Sequence, residues 1–395
     1  MPRSAADSGD QSVTQSEPPP CGFSGLVNTV TPRLFIAATE QNTGKTTVSL
    51  GLYSTLRERF KRIGFIKPVG QRFTEVEGKR IDEDSVLIRD TFGTEIPIED
   101  MSPIAVEPDF TRRYINHANH EHLVRRIQHS FDRTCWEKDF AIIEGTGHAG
   151  VGSTFDLSNA GVARLLASKV LLVTPGGIGR PIDEAALNKA LFDREGVEII
   201  GVVMNKVLPD KLDAVADFAS RGFGRIGLEL LGVMPMEDML AEPTLQQILE
   251  HIRGKFIHNE DLSRCRPKQV SIGAVSSANL FVNLIEDTLL IVPGDREDIV
   301  LAALSRSMEP DGGLLAGLVL SDGMRPHERL LEMLGQTRLP VILSPMDSYT
   351  IAQRIHSMTV KTMPGDTQKI DRIQDLVARH VAIPRILEKI GCATA

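Results

Sequence analysis

The stretch that decides the fold is residues 33–47, Arg-Leu-Phe-Ile-Ala-Ala-Thr-Glu-Gln-Asn-Thr-Gly-Lys-Thr-Thr. It reads as a short apolar strand, then a tight loop that ends in Gly44-Lys45-Thr46, then the start of an amphipathic helix. Backbone N–H groups of such a loop, and the positive end of the helix behind it, point at a bound anion. Lys45 adds a full positive charge, and the Thr46 hydroxyl could ligate a metal carried by phosphates. The stretch therefore predicts a phosphate-binding loop.

This loop departs from the standard G-x-x-x-x-G-K-[ST] pattern at one position, because Thr39 stands where the first glycine is expected. The strand before the loop and the helix after it, from Thr47 to about Arg59, lie where phosphate binding needs them. That context favours the phosphate loop over its alternative, a capped helix with a chance Gly-Lys-Thr.

Composition limits the classes of function. A length of 395 residues favours two domains, and an apolar fraction of 42% is enough to fill two cores. The net charge of −8 argues against a nucleic-acid partner. No apolar run reaches about 18 residues, so no membrane span is expected. The four cysteines form no C-x-x-C pair, which predicts reduced thiols and a cytoplasmic protein.

Short apolar runs alternate with helical patterns along the chain, which indicates a buried and mostly parallel sheet with helical crossovers. The predicted fold class is α/β, with a first domain over residues 29–250 and a second, smaller α/β domain over 269–395. The polar stretch 251–268 is the predicted linker. Residues 1–28, rich in Ser, Pro, Gln and Gly, are predicted to be a disordered tail.

Polar residues follow three of the predicted strands, at the sheet edge where ligands of parallel sheets bind. Lys67 is predicted to point into the ligand crevice and, with Lys45, to be catalytic; the alternative is a surface lysine. Glu144 is predicted to hold Mg²⁺, usually through waters, against the alternative of a loop cap. Asn205 is a candidate for hydrogen bonding an adenine edge, against the alternative of a turn residue.

Two further sites are less specific. Asp82 and Asp84 open a predicted helix, where a metal-binding role and a simple interaction with the helix dipole are about equally expected. His148 lies in the glycine-rich run Gly145–Gly152, and a lone loop histidine is more often structural than catalytic.

Together these motifs resemble the dethiobiotin synthetase-like branch of P-loop proteins over about residues 33–250. The resemblance is carried by Thr39-Glu40 with Gly44-Lys45-Thr46, by Gly64–Val69, by Ile143-Glu-Gly145 and by Met204-Asn205. It implies ATP and Mg²⁺ as cofactors, with Asp84 at a magnesium-ligating position beside Thr46 and Glu144. The nucleotide contacts that it implies come from Thr39, Glu40, Thr43, Gly44, Lys45, Thr46, Thr47 and Asn205. After Gly145 the sequence departs from the synthetase pattern, so a biotin-precursor substrate is not expected.

The second half resembles the DRTGG domain. Residues 289–296 carry its aspartate-arginine pair, while Glu297 and Asp298 replace threonine and glycine. From the residues alone, Asp295 and Asp298 could instead cap a helix. The order of the two domains is that of the N-terminal half of long bacterial phosphotransacetylases. Because the sequence ends at Ala395, the resemblance implies nucleotide binding and metabolite sensing rather than acetyl transfer.

Two functional classes follow. One is an ATP-dependent enzyme, either an ATPase or a ligase-type enzyme. The ligase-type enzyme would activate a carboxylate as an acyl phosphate, with Lys45 and Lys67 offsetting phosphate charge. The other is a non-catalytic regulatory protein that senses a nucleotide in its first domain and a small metabolite in its second. The expected partners are small molecules, and a homo-oligomer is left open.

Overall fold

The computed structural model describes residues 28–282, 284–308 and 315–392. They form two compact units. The first comprises the residues up to Met236 together with those from Met363 onward, and the second is Glu237–Thr362. The predicted disordered tail lies outside the described residues except for Asn28, which is buried and donates its backbone N–H to Asp132 Oδ1 over 2.7 Å.

The first unit alternates strands and helices along most of its length. Its elements up to Met236 are β1 (Arg33–Ala38), α1 (Lys45–Arg57), β2 (Ile63–Ile66), β3 (Val69–Gly70), β4 (Phe73–Val76), β5 (Lys79–Asp82), α2 (Glu83–Phe92), α3 (Ile98–Met101), β6 (Ile104–Ala105), α4 (Phe110–Asn116), α5 (His120–Cys135), β7 (Phe140–Glu144), α6 (Asn159–Leu165), β8 (Lys169–Pro175), α7 (Arg180–Arg194), β9 (Ile199–Val207), α8 (Leu212–Arg225) and β10 (Leu230–Pro235).

Six of these strands form one parallel sheet in the order β10-β9-β8-β1-β7-β2. The interior strands β1 and β7 are buried along their whole length, which explains the apolar runs Leu34–Ala38 and Phe140–Ile143 within them. Parallel strands point the same way, so the carboxyl ends of β1, β2, β7 and β9 share one edge of the sheet. That edge carries the residues that the sequence singled out.

The second unit has its own sheet and core. Its elements are α9 (Asp238–Ala241), α10 (Leu245–His251), β11 (Lys255–His258), β12 (Gln269–Ile272), β13 (Thr288–Pro293), α11 (Glu297–Ser307), β14 (Leu315–Ser321), α12 (Glu328–Gly335), β15 (Val341–Leu343) and α13 (Ser348–His356). The strands run in the order β11-β15-β14-β13-β12, with β11 antiparallel and the others parallel. The fold class predicted from sequence, a mostly parallel α/β domain followed by a smaller α/β domain, is confirmed.

The chain then returns to the first unit as α14 (Thr367–His380) and α15 (Ile383–Ile390). Helix α14 packs on α1, and a Cβ built on Gly51 of α1 would lie 2.3 Å from Val377 Cγ2. Such a short distance means that the two helices approach closely because Gly51 has no side chain. Val381 also makes an isolated bridge to Gly232 of β10. The last helices are therefore part of the first unit's packing.

This division differs from the one expected from sequence. The sequence pattern places residues 363–392 in the second domain, yet their apolar face packs on the first unit. It predicts a linker over residues 251–268, yet they contain β11 and a 3₁₀ turn at Glu260–Leu262. Strand β11 is a half-exposed edge strand, and its polar residues made the sequence pattern indicate a linker instead of a strand. Among the described residues, no helix combines the length and the apolarity that crossing a bilayer requires.

Candidate functional site

The loop between β1 and α1 explains how Thr39 replaces a glycine. Thr39 extends the pairing of β1 with β8, because its backbone N–H donates to Val173 O over 2.9 Å. Its hydroxyl lies 3.3 Å from Thr174 Oγ1. The loop residues with positive φ are Asn42, at 60°, and Gly44, at 99°. Left-handed backbone is therefore needed later in the loop, and a threonine fits at its first position.

The first turn of α1 has neither a side-chain cap nor an acidic residue. Its N-cap residue is Gly44. The first N–H groups of a helix have no acceptor within the helix. Lys45, Thr46 and Thr47 therefore begin a 13-residue helix whose positive end is neutralised by no acid of its own.

Asn205 holds this loop in shape. Its Nδ2 donates to Thr43 O over 2.9 Å, and its Oδ1 accepts from the backbone N–H of Lys206. A Cβ on Gly44 would lie 2.1 Å from Asn205 Nδ2, so the asparagine packs directly on the glycine. Lys206 Nζ donates to Asn42 O over 2.7 Å. The end of β9 thus positions the loop, and contact of Asn205 with adenine stays a prediction.

Glu40 and Thr43 are tied to the loop's surroundings. Glu40 Oε2 lies 2.6 Å from Nη2 of Arg180, the first residue of α7. The Thr43 hydroxyl donates to Glu40 O over 3.3 Å, and the Thr43 side chain is buried. Sequence reasoning did not single out Arg180, which directly follows the glycine-containing stretch 176–179. Its positive charge lies at the loop.

Lys67, which directly follows β2, is enclosed by three acidic side chains. Its Nζ lies 3.2 Å from Asp82 Oδ1 and 3.4 Å from Glu144 Oε1, and it also contacts Asp84 Oδ2. We call these four residues the carboxylate cage. All four side chains are at most 7% exposed. Thr46 Oγ1 donates to Glu144 Oε1 over 3.0 Å, which joins the first turn of α1 to the cage.

The sequence placed Lys67 at the ligand-facing sheet edge, and the structure brings it together with Glu144, Asp84 and Thr46. The surface alternative for Lys67 is wrong, because its side chain is buried. Asp82 is the N-cap of α2, where its Oδ1 accepts from the backbone N–H of Asp84 over 3.0 Å. Asp82 therefore caps the helix and also contacts Lys67, a double role that the sequence did not distinguish.

The cage changes the acidity of its members. Burial lowers the pKa of Lys67, but Asp82, Asp84 and Glu144 outweigh that effect and leave the pKa well above its ordinary value. Burial raises the pKa of Glu144 to about 7, although Lys67 opposes the rise. Lys67 is therefore a permanent cation, while Glu144 has a carboxylate that is costly to keep charged in this site.

The residues fit a metal carried by a nucleotide. Within residues 28–282, 284–308 and 315–392, no three His, Cys, Asp or Glu side chains are grouped so as to hold a metal by themselves. Mg²⁺ on a nucleotide commonly takes only one or two protein carboxylates, because phosphates and waters supply the other ligands. Glu144 Oε2 is buried and has no hydrogen-bond partner among these residues. Glu144, Asp84 and the Thr46 hydroxyl therefore form a suitable donor set.

Two buried asparagines fix the loop that follows Glu144. Asn159 Oδ1 accepts from the backbone N–H of Thr146, and its Nδ2 donates to the carbonyls of Thr146 and His148. Asn188 Oδ1 accepts from Ala149 N over 2.8 Å, and its Nδ2 donates to Thr39 O over 3.2 Å. Asn188 thus ties this loop to the phosphate loop. Sequence reasoning missed both asparagines, since each lies within a helical pattern that carries no motif.

His148 itself is exposed, and its Nδ1 accepts from the backbone N–H of Gly150 over 3.2 Å. The described structure shows this local turn contact for the histidine and brings it to no member of the cage. That arrangement agrees with the structural role that a lone loop histidine usually has.

In the second unit, Arg296 follows β13 and is the N-cap of α11, where no side-chain cap is formed. Its guanidinium makes paired bonds to Asp298, with Nε–Oδ1 at 2.9 Å and Nη2–Oδ2 at 3.0 Å. Asp295 is exposed and does not cap the helix, so the capping alternative for Asp295 is wrong. Gly294 meets Met324 O so closely that a Cβ there would lie 2.0 Å away. The turn is therefore tightly built.

Comparison with known families agrees with this geometry. Residues 32–244 match the model of an AAA domain family, more than half of the chain, and residues 247–358 match the DRTGG domain. The chain belongs to the AAA domain family. The resemblance to a dethiobiotin synthetase-like P-loop domain followed by a DRTGG domain is confirmed.

Two relatives of this chain share the name phosphate acetyltransferase. The phosphate acetyltransferase of Pseudomonas putida is 27% identical over 373 residues, which cover 90% of this chain and 52% of that protein. The phosphate acetyltransferase of Escherichia coli is 21% identical over 374 residues, which cover 88% of this chain and 51% of that protein. The chain therefore spans about half the length of these relatives.

Solved structures align more loosely. The MinC:MinD cell division protein complex of Aquifex aeolicus is 12% identical with a TM-score of 0.34, over 53% of this chain and 82% of that one. The CBS and DRTGG domains of the regulatory region of Clostridium perfringens pyrophosphatase, complexed with the activator diadenosine tetraphosphate, are 20% identical with a TM-score of 0.26, over 36% of this chain and 63% of that one.

Proposed function

We propose that the first unit binds ATP with Mg²⁺, and that this chain uses the bound nucleotide in a regulatory role. The observation that carries the proposal is the contact between Thr46 Oγ1 and Glu144 Oε1, at 3.0 Å. This contact brings the first turn of α1 beside a buried carboxylate. A helix end that attracts phosphates and a carboxylate that attracts their metal are the two halves of an Mg-nucleotide site.

Each residue has a separate task in this proposal. The backbone of residues 39–44 and the first turn of α1 would surround the phosphates, with Lys45 adding positive charge. Thr46, Asp84 and Glu144 would hold Mg²⁺, which neutralises phosphate charge when bound. Asn205 and Lys206 support the loop from β9 through their bonds to Thr43 O and Asn42 O.

The regulatory role rests on domain content. The DRTGG match, over residues 247–358, occupies most of the second unit. A sensor needs two distinct sites and a ligand at each. We propose that the second unit binds a small anionic metabolite at the ends of β13 and β14, where Arg296 would exchange Asp298 for the ligand.

A pair of adjacent threonines tests the metal-nucleotide site. Thr46→Ala removes a proposed metal ligand, whereas Thr47→Ala changes the next residue of the same turn, which makes no bond to Glu144 in the described structure. ATP affinity of the intact chain is measured by equilibrium dialysis with and without Mg²⁺. Thr46→Ala should reduce the gain from Mg²⁺ on the order of 10–100-fold, while Thr47→Ala leaves that gain intact. Absence of ATP binding to the unaltered chain would overturn the proposal.

A ligase-type enzyme is the second candidate, and the cage favours it. Lys67 is a buried, permanent cation beside the proposed metal ligands, a position suited to offset charge on a transferred phosphoryl group. Assays of ADP and phosphate release with a panel of carboxylic acids distinguish the two roles. Turnover that depends on one acid would establish the enzyme, and stoichiometric binding without turnover would establish the sensor.

The metabolite site is tested by measuring the melting temperature of the intact chain in the presence of central metabolites and nucleotides. Arg296→Ala should abolish the ligand-induced rise in melting temperature. Lys268→Ala is the matched control, because it removes another exposed ion pair of the second unit, the 2.7 Å pair with Asp287 at the opposite end of β13. Equal shifts in all three proteins would contradict a site at Arg296.

We propose that the protein is cytoplasmic, and the free thiols among the described residues support this proposal. Cys135, Cys265 and Cys392, the cysteines among the described residues, are all free. Fractionation of the native host that finds the chain in an oxidising compartment would contradict this assignment.

A further inference from the structure

The carboxylate cage surrounds one ammonium group with three carboxyl groups. Lys67 Nζ contacts Asp82, Asp84 and Glu144, and all four side chains are almost completely buried. Buried charges interact strongly and are costly when they are uncompensated. When its carboxyl groups are ionised, the cage therefore attracts further positive charge. The ammonium group also contacts Asp84 and Glu144, which are the two acids of the proposed metal site.

Asp82 stands apart from the other two acids. It caps α2 and is packed against Gly70, where an added Cβ would lie 2.5 Å from Asp82 Oδ2. Its position is thus fixed by the backbone, and its Oδ1 lies 3.2 Å from Lys67 Nζ. Lys67 could release Asp84 and Glu144 and still keep one carboxylate as its partner.

We propose that Lys67 competes with a divalent cation for Asp84 and Glu144, so that the ammonium occupies the metal's place while no nucleotide is bound. This inference rests on the proposed function. In the nucleotide-free chain, Lys67 keeps the affinity for free divalent metal low. When metal and nucleotide arrive together, Lys67 yields Asp84 and Glu144 and remains on Asp82. The site therefore responds to metal and nucleotide jointly rather than to metal alone.

Removal of the ammonium tests the competition without any need for catalysis. Binding of Mn²⁺ to the intact, nucleotide-free chain is measured by electron paramagnetic resonance for the unaltered protein, Lys67→Met and Lys79→Met. Lys79 is the control, an exposed lysine paired with Glu99 at 2.9 Å. Lys67→Met should bind Mn²⁺ at least about tenfold more tightly, and Lys79→Met should match the unaltered chain. Equal or weaker binding by Lys67→Met would overturn the proposal.

Lys67→Arg keeps a cation in the cage and serves if Lys67→Met does not fold. Its forked guanidinium grips carboxylates more firmly than an ammonium does. The Mg²⁺ concentration needed for half-maximal ATP binding should therefore rise several-fold, and an unchanged or lower concentration would contradict the competition. If the unaltered chain binds no ATP, the proposed function fails. If it binds Mg-ATP while the Lys67 variants behave like the control, only the competition fails.

Discussion

Replacement of Glu144 by Gln should remove a pH dependence from the stability of the ligand-free chain. Burial raises the pKa of Glu144 from 4.5 to about 7. A carboxyl group whose pKa is raised by folding stabilises the fold fully below its unfolded pKa, and this contribution is lost as pH rises through the folded pKa. The unaltered chain should therefore lose stability between about pH 4.5 and pH 7. The amide of the Glu144→Gln variant has no proton to lose in this range.

The magnitude follows from the same values. A rise in pKa from 4.5 to about 7 corresponds to about 3 kcal/mol. The free energy of unfolding is measured by urea denaturation at pH 5 and pH 8 for the unaltered chain, Glu144→Gln and Glu58→Gln. Glu58 is an exposed acid at the end of α1 and serves as the control.

The other titrating groups are shared by the two proteins, so their effects cancel when the free energies of unfolding are subtracted. Relative to that of the unaltered chain, the free energy of unfolding of Glu144→Gln should therefore be larger at pH 8 than at pH 5. The same variant should lose most of its Mg²⁺-dependent ATP affinity. Parallel pH profiles for the unaltered chain and Glu144→Gln would refute the reasoning, because they would mean that Glu144 has no costly charge in the folded state.

Two glycines give further predictions. Gly51→Ala should destabilise the first unit by about 1–3 kcal/mol, since its Cβ would lie 2.3 Å from Val377 Cγ2. Val377→Ala in the same chain should recover part of that loss, and strictly additive urea-denaturation values would count against close packing of α14 on α1. Gly44→Ala should lower ATP affinity in a filter-binding assay, because Gly44 has φ at 99° and packs on Asn205 Nδ2. Gly93→Ala, at φ 62° with open space around it, should cost stability but leave ATP affinity unchanged.

Much of the fold could be predicted because local sequence patterns indicate its strands and the loops that follow them. Strands β1 and β7 each show an apolar run that is followed by polar and glycine residues. Both strands lie in the parallel sheet, and the phosphate loop follows β1. The same patterns placed Lys67, Glu144 and Asn205 at one sheet edge, where the structure has them. The family match of residues 32–244 confirms the type of domain that these motifs indicated.

The remainder depends on contacts between distant parts of the chain. No local signal shows that α14 packs on α1, because an amphipathic helix has the same pattern whichever surface it covers. Asn188 joins two loops from within a helix, and Asp82 meets Lys67 only when the hairpin of β4 and β5 brings it back. Strand β11 was missed since an exposed edge strand needs few apolar residues.

The central claim is that the first unit binds Mg-ATP through the loop that ends at Lys45. Isothermal titration calorimetry of the intact chain with ATP and Mg²⁺, compared with Lys45→Ala, tests it most directly. Lys45 supplies a side-chain charge at the open end of α1, so its loss should weaken binding by about 2–3 kcal/mol, as the loss of a charge-assisted hydrogen bond does. Equal affinities of the two proteins for Mg-ATP would contradict the claim.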